Sequence, residues 1–404
     1  MKQWGLIMVI FLLKVKQIWV TAEDEFMTRN GVELWLNGIP FYGNGFNAYW
    51  LMYEASFQTE RHKVSTTFQQ ARNNGLTIAR SWAFSDGGSR PLQSSPGSYN
   101  DQMFQGLDFV IYEAKNYGIK LVLSLVNNYE DYGGKKQYVE WAKTQGQFIS
   151  SVDDFYTNPV VKGFYKNHIK SVLTRVNSIT GVAYKDDTTI MAWELINEPR
   201  CPSDLSGKTL QVWITEMAAY LKSIDTNHLV DIGLEGFYGD DKKQYNPNHI
   251  QQGTDFIANN QIPDIDFATV HSYPDQWLNG STGEAQLSFH QRWVQQHIFD
   301  SQNILKKPVI FAEFGKSYKI SGYSSFDRDQ LYNITYSSIY SSASQGGPAA
   351  GGLFWQLLTD GLDNFRDGYE ILLTEASSIA GIISEQSQKL SSLKGRIRII
   401  SEST

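Results

Sequence analysis

Eight short runs rich in β-branched and aromatic residues, each followed by a loop and then a helical pattern, constrain the fold of this 404-residue chain most strongly. They span 40–50 (PFYGNGFNAYW), 76–82 (LTIARSW), 119–127 (IKLVLSLVN), 189–198 (TIMAWELINE), 227–236 (NHLVDIGLEG), 265–273 (IDFATVHSY), 307–315 (KPVIFAEFG) and 350–358 (AGGLFWQLL). Helical segments such as VSTTFQQARNNG, MFQGLDFVIYEAKNYG and VVKGFYKNHIKSVLTRV lie between them, and the first two close on Gly75 and Gly118, as a helix stop should. Strands that alternate with helices predict a parallel sheet with crossover helices. Eight of them close a (β/α)8 TIM barrel, which fills this length as one domain. An open doubly wound sheet competes, but no G-x-G-x-x-G follows the first strand. GVELWLNGIPFY, ahead of that strand, reads as a small hairpin turning at Asn37-Gly38.

Charge and cysteine content narrow the partners. A net charge of −7 with dispersed basic residues argues against nucleic acid and would repel a polyanionic substrate. Aromatics make up 14% of the chain, enough to leave some free for the apolar faces of sugars. Cys201 is the only cysteine, so packing holds the fold and the thiol is read as structural. Lys2, the apolar run Trp4–Leu13 and Ala22 resemble a secretory signal at 1–22, too short to span a bilayer. Asn279-Gly-Ser and Asn333-Ile-Thr are glycosylation sequons that this route would expose. The expected layout is a signal at 1–22, a single large domain at 23–393 and a tail at 394–404, the mature chain being secreted without a membrane anchor.

A barrel carries its chemistry at the C-terminal ends of its strands. There the runs place Arg80 and Trp82, Asn127 and Asn128, Asn197 and Glu198, His271 and Tyr273, Glu313, and Trp355. Glu198 and Glu313 come from the fourth and seventh strands, nearly opposite in an eight-fold ring. Facing carboxylates, one protonated and one ionised, are what glycosidic hydrolysis requires. No His/Cys/Asp cluster shows metal-ligand spacing and no G-x-S-x-G elbow occurs, so neither a metal nor an organic cofactor is expected.

With these residues in place the chain resembles glycoside hydrolase family 5, and more narrowly its plant endo-β-1,4-mannanases. The resemblance runs from about Phe26 to Leu393 through FNAYWLMYEAS, RSWAFSDGG, SLVNNYEDYGGKKQYVEWA, AWELINEPRC, GLEGFYG, FATVHSYPDQW, FAEFG and LFWQLLTDGLDNFRDGYE. It implies endo-acting, retaining hydrolysis of mannan, glucomannan and galactomannan, with transglycosylation open. It further implies Glu198 of NEP as acid/base and Glu313 of EFG as nucleophile. Arg80 and Tyr273 would hydrogen-bond the nucleophile, Asn197 the sugar 2-OH, His271 would be the active-site histidine, and Trp355 the sugar platform. Trp82, Trp141, Phe237 and Trp277 are looser subsite candidates. The rivals are an endoglucanase of the same family and an inactive polysaccharide-binding barrel. Oligomeric state is left open.

Two local features depart from a simple reading. Ser272 stands where plant relatives often carry a bulky aliphatic residue, and by alternation it points away from the mouth. In MAWELINEPR, alternation puts Ala192, Glu194, Ile196 and Glu198 inward and Met191, Trp193 and Leu195 outward, so Glu194 lies deeper than Glu198 and needs a partner, for which Arg80 is the candidate. For Asn197 also to face the sugar, the strand must bend or bulge before Pro199.

Overall fold

The computed structural model describes residues 25–375 and 378–401, with side chains up to Leu393 in the last helix. The predicted signal at 1–22 lies outside these residues. Among the described helices none is long and apolar enough to cross a membrane.

Eight parallel strands form one sheet: β1 Gly43–Asn47, β2 Ile78–Trp82, β3 Lys120–Ser124, β4 Ile190–Glu194, β5 Leu229–Asp231, β6 Ala268–Ser272, β7 Val309–Phe314 and β8 Ala349–Phe354. Each pairs with its neighbour in chain order from β1 to β5 and from β6 to β8, and β8 pairs back onto β1. Across the remaining seam, the Asp266 N–H donates to the Val230 carbonyl at 2.8 Å and the His271 N–H to the Glu235 carbonyl at 3.0 Å. The ring is closed, as the strand count predicts. Where β8 meets β1 the backbones approach so closely that a Cβ on Gly351 would stand 2.5 Å from the Gly43 carbonyl oxygen, so the contact requires glycine.

The outer ring contains α1 Arg61–Asn73, α2 Asp101–Tyr117, α3 Pro159–Leu173, α4 Lys208–Lys222, α5 Phe256–Asn260, α6 Gly283–Asp300, α7 Ser325–Ala343 and α8 Ser378–Ser401. Local signals set several ends. Asn100 caps α2, which stops at Gly118 in the left-handed conformation, and Asn158 caps α3 with Pro159 in its first turn. Helix α8 continues through residue 401, so the tail predicted to begin at 394 extends that helix instead of starting a separate segment. It is tied to the first strand: Asn44 Nδ2 donates to the Ile383 carbonyl and to Ser387 Oγ, both at 3.0 Å, and Ser384 Oγ reaches Asn74 Oδ1 just after α1 at 2.7 Å.

Apolar side chains divide between a large cluster between sheet and helices and a smaller one inside the barrel. Met27, Leu34 and Phe41 belong to the inner cluster, so the N-terminal segment plugs the barrel. That segment is larger than the predicted hairpin. Its strands Thr28–Asn30, Glu33–Leu36 and Ile39–Phe41 form a three-stranded antiparallel ribbon. The last two turn at Asn37 and Gly38, both at positive φ.

Strand β4 corrects the alternation predicted for MAWELINEPR. The β3 register jumps from Leu121↔Ile190 to Val122↔Ala192, and Met191, expected outside, joins the inner cluster. Further along, the N–H groups of Leu195 and Ile196 both turn to the β5 side, to Asp231 and Ile232. Ile196, expected inside, therefore packs in the outer cluster. This second irregularity is the bend predicted before Pro199. Ser272 does point away from the mouth: its Oγ lies 2.8 Å from His290 Nδ1 of α6, whose Nε2 lies 2.7 Å from Thr335 Oγ1 of α7.

Candidate active site

One buried guanidinium organises the open end of the barrel. Arg80 extends from β2, where every residue is buried. It donates through Nε and Nη2 to the two oxygens of Glu194 at 2.8 and 2.6 Å, the partnership predicted from sequence. Nη1 donates to Glu313 Oε1 at 2.6 Å and to Asn47 Oδ1 at 3.0 Å, and Nη2 also to Asn197 Oδ1 at 2.6 Å. Bidentate pairing to one carboxylate fixes the fork, so its outer edge presents a donor to the next. The other Glu313 oxygen accepts from the Tyr273 hydroxyl at 2.6 Å. Asn197 is held in turn by donating to Asn127 Oδ1 at 3.0 Å.

Glu198 stands opposite, in a left-handed conformation at φ 50° where the chain leaves β4. A non-glycine residue there marks a locally constrained backbone. Its Oε1 is 2.7 Å from His271 Nδ1, and the same nitrogen is 3.7 Å from Glu313 Oε2. One carboxylate oxygen from each glutamate and a His271 ring nitrogen lie within 4.8 Å of one another. Burial pushes both glutamates above the usual carboxylate range. His271, Arg80 and the Tyr273 hydroxyl oppose that rise at Glu313, while Arg200 and Arg80 oppose it at Glu198. Glu313 also has the stronger direct donors, a guanidinium and a phenol, so a proton shared by the pair favours Glu198. Burial drives His271 downward, toward its neutral form.

Glu198, His271 and Glu313 could each offer a donor to a cation. They fit one poorly. Both Glu313 oxygens already accept hydrogen bonds, and the positive Arg80 sits against the same carboxylate.

The cleft around the pair holds about 580 Å³. Trp82, Asn197, Tyr273, Trp277 and Trp355 line it with the two glutamates. Trp355 is braced by a 2.6 Å hydrogen bond from Nε1 to Asp367 and by Tyr49, stacked 5.5 Å away and 9° from parallel. Two looser candidates are core residues instead. Trp141 packs edge-on against Tyr138, and Phe237 is buried against Trp277 and Trp293.

Several lining residues were not predicted: Tyr49, Tyr129, Arg200, Glu235 and Tyr369. Arg200 grips Glu235 with two bonds of 2.8 and 2.6 Å. Burial and the nearby Glu198 nevertheless push Glu235 to about 7. A signal for it existed in the sequence, since it is a glutamate at the C-terminal end of the predicted strand 227–236, within GLEGFYG.

Comparison with known proteins agrees with this geometry. A model of glycoside hydrolase family 5 β-mannosidase-like proteins matches residues 24–361. Mannan endo-1,4-β-mannosidase 7 of Arabidopsis thaliana is 60% identical over 372 residues, covering 91% of this chain and 86% of the relative. Mannan endo-1,4-β-mannosidase 1 of rice, Oryza sativa subsp. japonica, is 60% identical over 370 residues, covering 90% and 86%. Among solved structures, the endo-1,4-β-mannanase of Rhizomucor miehei superposes with a TM-score of 0.78 at 32% identity, covering 91% of this chain and 100% of that one. The endo-β-1,4-mannanase of Thermotoga petrophila gives 0.77 at 32%, covering 87% and 77%. By fold, site and sequence alike, the chain belongs to the β-mannosidase-like proteins of glycoside hydrolase family 5.

Proposed function

We propose that this protein is a secreted cell-wall endo-β-1,4-mannanase that hydrolyses mannan, glucomannan and galactomannan with retention of anomeric configuration. The observation that carries the reading is the carboxylate pair: two buried glutamates with oxygens within 4.8 Å, one gripped by Arg80 and Tyr273 and the other beside His271. Retaining enzymes hold their carboxyl groups about 5–5.5 Å apart, whereas inverting ones need roughly 6.5–9.5 Å to admit a water. The relatives named as mannan endo-1,4-β-mannosidases support the substrate, and the acidic, aromatic-lined cleft suits a neutral sugar polymer.

In this mechanism protonated Glu198 gives its proton to the glycosidic oxygen while ionised Glu313 attacks the anomeric carbon, and a mannosyl-enzyme ester forms as the leaving sugar departs. Glu198, now a base, takes a proton from water, whose oxygen displaces Glu313. A sugar hydroxyl in place of water gives transglycosylation. Asn197, held between Arg80 and Asn127, is placed for the 2-OH, and Trp355 for the sugar face.

Product analysis on mannan, glucomannan, galactomannan and cellulose tests the reading. Mixed manno-oligosaccharides, with the β-anomer appearing first by NMR, are expected. Faster cleavage of cellulose would make the protein an endoglucanase, and binding without new reducing ends would make it a binding barrel.

A further inference from the structure

Below the catalytic pair, the charge balance of the barrel does not close if every carboxyl is ionised. Asp231 ends β5 and is the register partner of Glu194 on β4, so adjacent strands hold the two side by side. Both side chains are fully buried. Neither Asp231 oxygen meets a hydrogen-bond donor side chain among the described residues. Its neighbour within hydrogen-bonding reach is the Glu194 carboxylate, whose two oxygens already accept one N–H each from Arg80. Gly233 walls the pocket: a Cβ there would stand 2.9 Å from the Glu194 carboxyl carbon and 2.1 Å from the Ile196 carbonyl oxygen. Two buried acceptors side by side, with no donor between them, require a proton.

We propose that Asp231 is a positioning residue for the nucleophile: as a neutral carboxylic acid it donates a hydrogen bond to Glu194, and Glu194 thereby holds the Arg80 fork against Glu313. The groups facing Asp231 are Glu194 from β4, Arg80 from β2 and the Gly233 backbone N–H. Burial and the Glu194 charge push Asp231 well above the usual carboxylate range, and Arg80 acts against them. One guanidinium thus serves two carboxylates, Glu194 and Glu313, instead of three. The protonated acid also fixes Glu194 in the rotamer that meets both nitrogens of the fork. This role rests on the reading of Glu313 as nucleophile.

Replacing Asp231 tests it, with kcat and KM on soluble manno-oligosaccharides. Asp231→Asn keeps the shape and supplies an N–H donor that never ionises, so kcat should stay within about threefold of wild type. Asp231→Ala removes the donor and should lower kcat by about 10- to 100-fold while KM changes less than about threefold, because a misplaced nucleophile is felt in the transition state. An amide variant as slow as the alanine variant, or an alanine variant as fast as wild type, would overturn the proposal. A second readout needs no turnover. In a Glu198→Gln background at pH 8, the infrared difference on adding Asp231→Asn should show loss of a protonated-carboxyl C=O band. Loss of a carboxylate band instead would overturn the proton assignment. If Glu313→Ala kept wild-type turnover, the nucleophile reading would fail while the infrared result stood, so the two failures are distinguishable.

Discussion

Replacing Tyr273 with phenylalanine isolates the control of the nucleophile's charge. The phenol donates to Glu313 Oε2 at 2.6 Å, while Oε1 is taken by Arg80. Phenylalanine keeps the ring and its edge contact with Tyr369, 5.2 Å away, and deletes the donor alone. A hydrogen bond to a charged acceptor contributes about 1.5–3 kcal/mol. It favours the ionised carboxylate, so losing it raises the Glu313 pKa; at 1.36 kcal/mol per unit the rise is about 1–2 units. Burial already places Glu313 above the ordinary range, so the shift carries its ionisation further toward neutrality. The acidic limb of kcat/KM against pH, which reports the first ionisation of the Glu198/Glu313 pair, should move to higher pH by about 1–2 units. Below the limb, activity should fall by about 10- to 100-fold, and on the plateau by much less. Initial rates on mannohexaose across the pH range provide the assay. A uniform loss with an unmoved limb would refute the argument and assign Tyr273 to the sugar.

Arg80→Leu strands Glu194 and Glu313 in the barrel and should cost about 3–5 kcal/mol of stability, read by urea unfolding; a loss under about 1 kcal/mol would contradict the central role given to that side chain. Glu198→Ala should lose activity on polymeric mannan but still release a burst of phenol from an aryl β-mannobioside with a good leaving group, since that departure needs no proton; no burst would count against the division of roles. His290, driven to about 3 by burial, stays neutral in the fold while the unfolded chain takes up its proton below about 6.5. Wild type should therefore lose stability relative to His290→Gln by about 1.4 kcal/mol per pH unit as pH falls from 6.5 toward 4. The comparison cancels the buried carboxyls, whose raised values act with the opposite sign. A pH-independent difference by calorimetry would show that this histidine titrates normally.

Strand rhythm and strand-end chemistry were legible because β-rich runs that alternate with helical patterns, and the polar residues at their C-terminal ends, are written residue by residue. Arg80, Glu198, His271, Tyr273 and Glu313 converge on contacts below 4 Å from four different strands or their ends. Even the Arg80–Glu194 pairing followed from a buried carboxylate's need for a cation. Alternation failed where the backbone slips a residue, at Met191 and again at Leu195–Ile196, since a bulge leaves no compositional mark. The aromatic candidates divided for a similar reason. Trp82 and Trp277 line the cleft while Trp141 and Phe237 pack in the core, because loop path, not residue type, decides which surface a ring meets. Tyr129 escaped notice because it reaches the cleft from a loop, while Glu235 stood at a predicted strand end and only its grip by Arg200 was hidden.

The bond from Asn44 to the backbone of Ile383 joins residues 339 apart. Its consequence is temporal. At synthesis rates of about 5–20 residues per second, the first barrel strand waits roughly 17–68 s before that partner has been made. Through most of that interval β8, the neighbour of its outer edge, is also unmade, and every catalytic side chain is present before the last helix begins. Such long-range closure raises the entropic cost of the folding barrier, and it makes the barrel strand made first among the last to be secured. A chain stopped before residue 378 would carry both catalytic glutamates and the β8–β1 pairing yet leave Asn44 of β1 without the helix that ties it down.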